Sequence, residues 1–241
     1  MSTEELHGNP PPIPDGVHVR VYSMEYCPYA QRTRLALSVK GVPFDVINCN
    51  LKEKPKFLTD ANPNGQVPVL LHDGKVMYES DVTVEYIDAV FPDGVKLYPA
   101  DPFERAKGRI VIINFSNKVV PLMYKNVREP SEENLSNLLT ALDKFAEGPL
   151  KLIGGPYFGG KQLDAVDIHV WPFLERIDAT AKTPLPADRF PNLISYIKTM
   201  KNTDGIKELI HPPDDHHHVR KTYMENKPDY NYHSKNPIYA A

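Results

Sequence analysis

Several features that would assign this chain to a class at once are scarce or missing. Its 241 residues include only two cysteines, Cys27 and Cys49. They cannot build a disulfide framework, so we expect a protein of a reducing, cytoplasmic compartment. No run approaches the roughly 18 apolar residues that cross a bilayer, and residues 1–14 lack the apolar core of a secretory signal. A net charge of −3 gives no reason to expect a nucleic acid or an anionic membrane as partner.

Three common kinds of catalytic motif are also missing. Cys27 is followed by Pro28-Tyr29-Ala30, so no second thiol in the motif could resolve a disulfide, and any redox chemistry would be monothiol. The adjacent histidines 216–218 do not form a coordination set, and no Cys/His spacing matches a zinc site. We therefore expect no metal, and a solvated or substrate-lining role for these histidines. Ser23 and His169 lack the Gly-x-Ser-x-Gly elbow of a hydrolase.

The first part of the chain alternates between strand and helix signals. Residues 1–16 are rich in proline and are predicted to run extended along the surface. Strands are predicted for residues 17–21, 44–49, 65–71 and 76–78, and helices for 28–40, 52–60 and 79–90. Asp73-Gly74 is a strong hairpin signal between the last two strands. The order β-α-β-α-β-β-α predicts a small sheet with helices on both faces.

The second part of the chain shows helical patterns without convincing strand pairs, so we place a domain boundary near residues 93–100. Helices are predicted to begin at Asp101, Ser131, Asp164 and Pro191, the first of them continuing through Ile110, Ile113 and Val120. Residues 164–167 resemble a capping box in which Asp replaces the usual Ser or Thr. Asp214 and Asp215 are predicted to lie at the surface.

Cys27 lies between the first predicted strand and the helix that follows it. Pro28 suits a first helical position, because its missing N–H needs no partner there. A thiol at this point faces unpaired backbone N–H groups and the positive end of the helix dipole, which favour the thiolate. The alternative is a buried, inert cysteine. For Cys49, at a strand end, a packed and inert side chain is the favoured interpretation.

Two other local features leave alternatives open. Pro68 removes a hydrogen-bond donor from a strand that otherwise reads as central, and a cis peptide bond would explain it, although only about 5–6% of X–Pro bonds are cis. Glu79-Ser80 marks the start of a helix. It could be a simple cap, or a site where the hydroxyl and backbone N–H groups bind a carboxylate.

Taken together, these segments resemble the omega class of cytosolic glutathione transferases. The resemblance rests on the block Tyr22–Arg34 around Cys27, on Asn62–Leu70, on Tyr78-Glu79-Ser80 and on Ile168–Arg176. It covers nearly the whole chain. It implies a glutathione transferase architecture, with an α/β thioredoxin-like domain over residues 17–94 and an all-α domain over 95–241. Residues 1–16 would be an N-terminal extension, and the last segment a C-terminal extension forming part of the second-substrate pocket.

The resemblance also implies roles for individual residues. Cys27 would be the catalytic thiol, with glutathione as co-substrate. Glutathione would be bound by Tyr29, Lys54, Val67, Pro68, Glu79 and Ser80, with Pro68 in the cis form. The second-substrate pocket would contain Tyr26, Phe173, Arg176, His216 and Tyr223. His216 stands where relatives carry Trp. A homodimer is implied as well.

The expected function is glutathione-dependent thiol transfer and reduction, with dehydroascorbate and monomethylarsonate among the substrates the resemblance implies. The alternatives are a transferase that conjugates glutathione to xenobiotic electrophiles, and a glutathione-binding protein of the same fold without turnover. The retention of Cys27, Glu79 and Ser80 argues against a subunit that has lost catalysis. The polar residues of the Cys27 helix argue against its insertion into membranes.

Overall fold

The computed structural model describes residues 10–181 and 184–229, which group into two compact units. The first unit contains residues 10–94 together with residues 218–229, and the second contains the described residues between 95 and 217. The division after Gly94 lies at the predicted boundary. Residues 218–229 group with the first unit, whereas the sequence assigned them to the helical domain. Residues 1–9 of the N-terminal extension lie outside the described part of the chain.

The first unit is built on a four-stranded sheet with the order β2-β1-β3-β4. Its elements are β1 (Val19–Ser23), α1 (Pro28–Val39), β2 (Asp45–Asn48), α2 (Lys56–Ala61), β3 (Val69–His72), β4 (Lys75–Tyr78) and α3 (Ser80–Val90). β1 pairs in parallel with β2 and antiparallel with β3, and β3 pairs antiparallel with β4. The predicted element order is confirmed, and so is the hairpin turn at Asp73-Gly74, where both residues have positive φ.

Two proline residues shift element boundaries from their predicted positions. The second helix begins at Lys56 rather than residue 52, because Pro55 occupies its N-cap. The third strand begins at Val69 rather than residue 65, after the Val67-Pro68 peptide bond, which is cis. The cis-proline that the family resemblance implies is therefore confirmed.

Charged side chains of α1 lie in the protein interior. Arg32 and Arg34 are only 3% and 2% exposed, and the Lys40 side chain beyond the helix is fully buried. Each has a carboxylate partner: Asp81 for Arg32, Glu25 for Arg34 and Asp88 for Lys40. Burying a charge is unfavourable unless it is paired. The charged residues that the sequence offered as an argument against membrane insertion are therefore buried cations, each paired with a carboxylate.

An apolar cluster and hydrogen bonds from Lys52 connect the C-terminal segment to the first unit. Val219 and Tyr26 form a buried cluster against which Met24 packs. The ammonium group of Lys52 donates to the backbone oxygen of Asn226 at 2.7 Å. These contacts explain why residues 218–229 group with the sheet.

All the regular elements in the described part of the second unit are helical, apart from an isolated β-bridge between Tyr157 and Gly160. Its elements are α4 (Pro102–Lys118), α5 (Val120–Arg128), α6 (Glu132–Phe145), a single π-helical turn (Ala146–Leu150), α7 (Ala165–Glu175), α8 (Ile177–Ala181), α9 (Pro191–Lys201) and a short 3-10 turn (Lys207–Leu209). Residues 213–217 of α10 (Pro213–Met224) also belong to this unit. Asp101 caps α4 and Ser131 caps α6 with their side chains. The predicted all-α character of this unit is confirmed.

The first predicted helix of this unit is two helices in the structure. The break falls at Val119, and Pro121 lies in the first turn of α5, where proline is tolerated. Ile110 and Ile113 were expected to continue the helix, and they do lie in α4. However, their side chains are 58% and 53% exposed, so they do not form a core-facing stripe.

The capping box predicted at the start of α7 is confirmed. The Asp164 carboxylate accepts from the N–H groups of Val166 and Asp167, and the Asp167 carboxylate accepts from the N–H of Asp164. Tyr196 also donates to Asp167, at 2.7 Å. Burial, followed by the neighbouring Asp164 carboxylate, raises the pKa of Asp167 to about 7. Burial raises the pKa of Asp164 to about 6.

This pair predicts a pH-dependent stability. An Asp titrates near pH 4 when unfolded, so the native state binds more protons than the unfolded chain between about pH 4 and 7. Its contribution to the free energy of unfolding is therefore greatest in acid and falls as the pH rises through the folded pKa values. We expect Asp167→Asn to make this fall smaller, because only Asp164 of the pair then titrates. Chemical denaturation of both proteins between pH 5 and 8 measures it, with the exposed Asp188→Asn as control. Parallel curves for wild type and Asp167→Asn would contradict it.

Candidate active site

The first unit contains a cavity of about 450 Å³ that brings the predicted glutathione-binding residues together with Cys27. Its lining includes all six of them, Tyr29, Lys54, Val67, Pro68, Glu79 and Ser80. They come from four places in the chain: the start of α1, the segment before α2, the segment before β3 and the start of α3. The cavity thus combines a thiol, a cation, a carboxylate and a helix N-terminus.

Cys27 is positioned by the turn that follows β1. Its N–H donates to the carbonyl of Met24 at 2.9 Å, and Cys27 is the N-cap of α1 with Pro28 as the first helical residue. Cys27 is 8% exposed and lines the cavity. Cys49, in contrast, is fully buried, and its sulfur lies 3.8 Å from the carbonyl oxygen of Ile47. The predicted packed role of Cys49 is confirmed, and Cys27 is the thiol that lines the cavity.

Val67 contributes an extended backbone segment to the cavity. It precedes the cis Pro68, and it is not part of β3, which begins at Val69. Within the described residues, no backbone hydrogen bond involves its N–H or C=O. A backbone with both groups available can pair with a peptide in the manner of an added strand.

Glu79 and Ser80 form the start of α3 at the cavity wall. Glu79 is the N-cap and has a φ of 70°, a conformation rarely found for residues other than glycine and one that concentrates at functional sites. The Ser80 hydroxyl accepts a hydrogen bond from Arg32 at 3.2 Å, so its own proton can point elsewhere. Backbone N–H groups, a hydroxyl and a nearby guanidinium together suit a carboxylate ligand.

Gly65 leaves space for the Lys54 side chain at the cavity. Gly65 has a φ of 59°, and a Cβ built there would lie 2.7 Å from Cδ and 3.0 Å from Nζ of Lys54. The ammonium group also donates to the carbonyl of Asn64 at 3.3 Å. A side chain at position 65 would displace the end of the Lys54 side chain from its place across this turn.

We expect Gly65→Ala to weaken glutathione binding by displacing Lys54, raising KM about tenfold, which corresponds to about 1.4 kcal/mol. Gly74→Ala is a matched control: its φ is 76°, but a Cβ there would meet nothing within 4 Å. Both variants strain the backbone and lower the melting temperature. Steady-state kinetics should show a raised KM only for Gly65→Ala, and equal KM values for the two variants would contradict the role of Lys54.

The residues predicted for the second-substrate pocket do not line this cavity. Tyr26 is buried beside Val219, and Tyr223 is 57% exposed on α10. In the second unit, Phe173 is buried near Phe115, and Arg176 donates to the carbonyl of Pro172. His216 is buried beside Glu175.

His216 and Asp215 lie in the interior, contrary to what the sequence suggested. The ring nitrogen Nε2 of His216 is 3.3 Å from the Glu175 carboxylate, which also accepts from the N–H of His211 at 2.7 Å. Burial lowers the pKa of His216 to about 4, so the ring is neutral at pH 7. Asp215 is fully buried, whereas Asp214 is exposed. Within the described residues, no group of three or more His, Cys, Asp or Glu is arranged to hold a metal ion.

Four residues that line the cavity were not predicted individually: Leu51, Asn62, Gly65 and Gln66. Asn62 organises its loop, since its side chain donates to the carbonyl of Gln66 and accepts from the N–H of Asn64. The motif Asn62–Leu70 carried the signal for three of them. Leu51 had no signal beyond its apolar side chain, because its position depends on the path of the chain after β2.

Comparisons with known proteins agree with this geometry. Residues 21–94 match the family described as "Glutathione S-transferase, N-terminal domain", and residues 113–212 match "Glutathione S-transferase, C-terminal domain". The chain is 39% identical over 224 residues to a protein named glutathione S-transferase omega-1 from Sus scrofa, with 91% of each chain covered. It is 33% identical over 226 residues to glutathione S-transferase omega-2 from Homo sapiens, again with 91% of each covered.

A solved structure shows the same similarity in three dimensions. The crystal structure of glutathione transferase Omega 3C from Trametes versicolor aligns with a TM-score of 0.75 at 26% identity, covering 91% of this chain and 93% of that one. No helix in the described part of this chain is both long enough and apolar enough to cross a membrane.

Proposed function

Because the chain belongs to the omega class of glutathione transferases, we propose that it is a glutathione-dependent thiol transferase and reductase that uses Cys27. The observation that carries this proposal is a thiol at a helix N-terminus in one cavity with a complete set of groups for a glutathione-like peptide. A thiol in that position favours the thiolate, which is the reactive form.

Each part of the tripeptide has a matching group in the cavity. The α3 N-terminus at Glu79 and Ser80 suits the γ-glutamyl end, which carries both a carboxylate and an amino group. The backbone of Val67, before Pro68, suits the cysteinyl residue. Lys54 suits the glycine carboxylate, and Tyr29 flanks the thiol. In this arrangement the glutathione sulfur lies next to Cys27.

The proposed chemistry is thiol–disulfide exchange. The Cys27 thiolate attacks the glutathionyl sulfur of a mixed disulfide, the substrate thiolate leaves, and Cys27 carries glutathione. A second glutathione thiolate then attacks that disulfide, releasing oxidised glutathione and the Cys27 thiolate. With dehydroascorbate, two glutathione molecules supply two electrons and two protons. Monomethylarsonate belongs to the same proposal. Because the mechanism depends on reduced glutathione, we propose that the protein acts in the cytoplasm.

A conjugating transferase is the second candidate, because Tyr26 lies directly before Cys27 and packs against Val219 of the C-terminal segment. A wall of this kind could shape a pocket for apolar electrophiles. A cysteine beside the glutathione sulfur, however, readily forms a disulfide with it, which suits reduction better than conjugation. The third candidate is glutathione binding without turnover.

A comparison of activities tests the proposal. The wild-type protein would be assayed with glutathione for dehydroascorbate reduction and for conjugation of an aryl halide, and the Cys27 peptide would be examined by mass spectrometry for a glutathione adduct. Reduction together with the adduct is the expected result. Conjugation without reduction would favour the second candidate, and glutathione binding without either activity the third.

A homodimer is part of the same proposal. Exposed apolar side chains occur in both units: Val76, Tyr78 and Val82 in the first, and Phe103, Ile110 and Ile113 in the second. Exposed apolar patches often mark protein–protein interfaces. Sedimentation velocity of the wild-type protein measures the oligomeric state.

A further inference from the structure

A tight turn presents Cys27 to the cavity. The hydrogen bond from the Cys27 N–H to the Met24 carbonyl places Glu25 and Tyr26 at the centre of this turn. Tyr26 packs with Met24 and Val219. Glu25 is directed to other partners, and neither the catalytic proposal nor the family resemblance assigned it a role.

Glu25 is bound by both α1 and β2. One carboxylate oxygen accepts from Arg34 of α1 at 2.9 Å, and the other accepts from Asn48 at the end of β2, also at 2.9 Å. Arg34 donates a second hydrogen bond, at 2.6 Å, to the backbone carbonyl of Glu25. The side chains of Glu25 and Arg34 are 14% and 3% exposed. This cluster of Glu25, Arg34 and Asn48 therefore fixes the turn through a charge pair shielded from solvent.

The two charges have opposite effects on a nearby thiol. Glu25 is two residues before Cys27, and its negative charge disfavours a thiolate there, whereas the positive charge of Arg34 favours it. Charges shielded from solvent are screened less than exposed ones. We propose that Glu25 and Arg34 are positioning residues for Cys27, and that their opposite charges offset each other's effect on the pH at which the Cys27 thiolate forms.

Other titratable or charged groups also lie in the cavity or on α1, and the variants do not change them. Tyr29, Lys54 and Glu79 line the same cavity, and Arg32 is paired with Asp81. Tyr22 and Cys49 lie with Cys27 in one buried cluster. All these groups are kept in every variant, so the comparison reports the charges at positions 25 and 34. The two single variants therefore differ in the sign of the charge that remains. The positive charge of Arg34 remains when Glu25 is replaced, and the negative charge of Glu25 remains when Arg34 is replaced.

This difference in sign separates the proposal from a purely structural role. A clamp that only held the turn would be weakened by either substitution, and the reactivity of Cys27 would fall in both variants without opposite shifts in its pH profile. A balanced charge pair instead predicts shifts in opposite directions, and their cancellation when both charges are removed.

The experiment is alkylation of Cys27 by iodoacetamide between pH 4 and 10, followed by mass spectrometry of the Cys27 peptide, which separates it from Cys49. Wild type would be compared with Glu25→Gln, Arg34→Gln and the double variant, after circular dichroism has shown that each is folded. We expect the midpoint of the profile to move to lower pH in Glu25→Gln and to higher pH in Arg34→Gln, each by roughly 0.5 to 1 pH unit. The double variant should return close to wild type.

Midpoints that stay together, or that move in the same direction, would overturn the proposal. Should Arg34→Gln fail to fold, Glu25→Gln decides: a lowered midpoint supports the charge balance, and an unchanged or raised one refutes it. The inference rests on the proposed role of Cys27 as the reactive thiol, but the alkylation assay contains no glutathione. A protein that shows the opposed shifts yet does not turn over glutathione would refute the proposed function alone.

Discussion

A Cys27→Ala variant loses glutathione-dependent dehydroascorbate reduction by at least about a thousandfold relative to wild type, the scale seen when a nucleophile is removed. Without the sulfur at the start of α1, no mixed disulfide can form on the protein, and glutathione bound in the cavity has no protein disulfide to attack. The lining at Lys54, Val67 and Ser80 is unchanged, so glutathione should still bind. Steady-state kinetics measures the loss of turnover, and isothermal titration calorimetry measures the retained binding.

Cys49→Ala is the matched control, since Cys49 is the only other thiol in the sequence and lies fully buried in the same apolar cluster as Cys27. We expect it to keep its turnover and to lose some stability. If Cys27→Ala instead conjugated an aryl halide as well as or better than wild type, the thiol would not be needed for that chemistry. Retained reduction in Cys27→Ala would contradict the proposed mechanism directly.

An Asp88→Ala variant is expected to lose about 3–5 kcal/mol of unfolding free energy, the range measured when one partner of a buried ion pair is removed. The Lys40 ammonium lies 3.1 Å from the Asp88 carboxylate, and the two side chains are 0% and 2% exposed. This pair joins the end of α1 to α3. Without Asp88, the ammonium would stay in the interior without that carboxylate, or the local structure would have to open to hydrate it. Chemical denaturation measures the loss.

Two comparisons test the physical reason for this loss. Asp60→Asn removes one member of an exposed i,i+4 pair with Lys56, and it should cost only about 0.3–0.5 kcal/mol. A Lys40→Met/Asp88→Leu double variant removes both buried charges, and replacement of a buried pair by apolar residues is often neutral or stabilising. A loss in the double variant as large as in Asp88→Ala would show that packing, rather than the uncompensated charge, is responsible.

Local chemistry in the sequence determined the elements and the position of Cys27 at a helix start. The alternating residues before Cys27 and Pro28 after it place the thiol at a helix start, and the structure has it there. Asp73-Gly74 and the Asp164 capping box are signals of the same kind, because a turn or a cap depends on only a few neighbouring residues. The residues proposed to bind glutathione were predicted through the family resemblance, which joins segments that local signals cannot connect.

The tertiary structure decided what is buried and what is paired. Nothing in the sequence distinguishes Arg34 or Lys40 from a solvated helical residue, and nothing marks Asp215 or His216 as internal. Burial of a charge depends on a partner distant in the chain, such as Glu25 or Asp88, being brought within hydrogen-bond distance by the packing of several elements. That packing determines whether pairing offsets the cost of removing a charge from water. The pair of Glu25 and Arg34 therefore could not be predicted from the sequence.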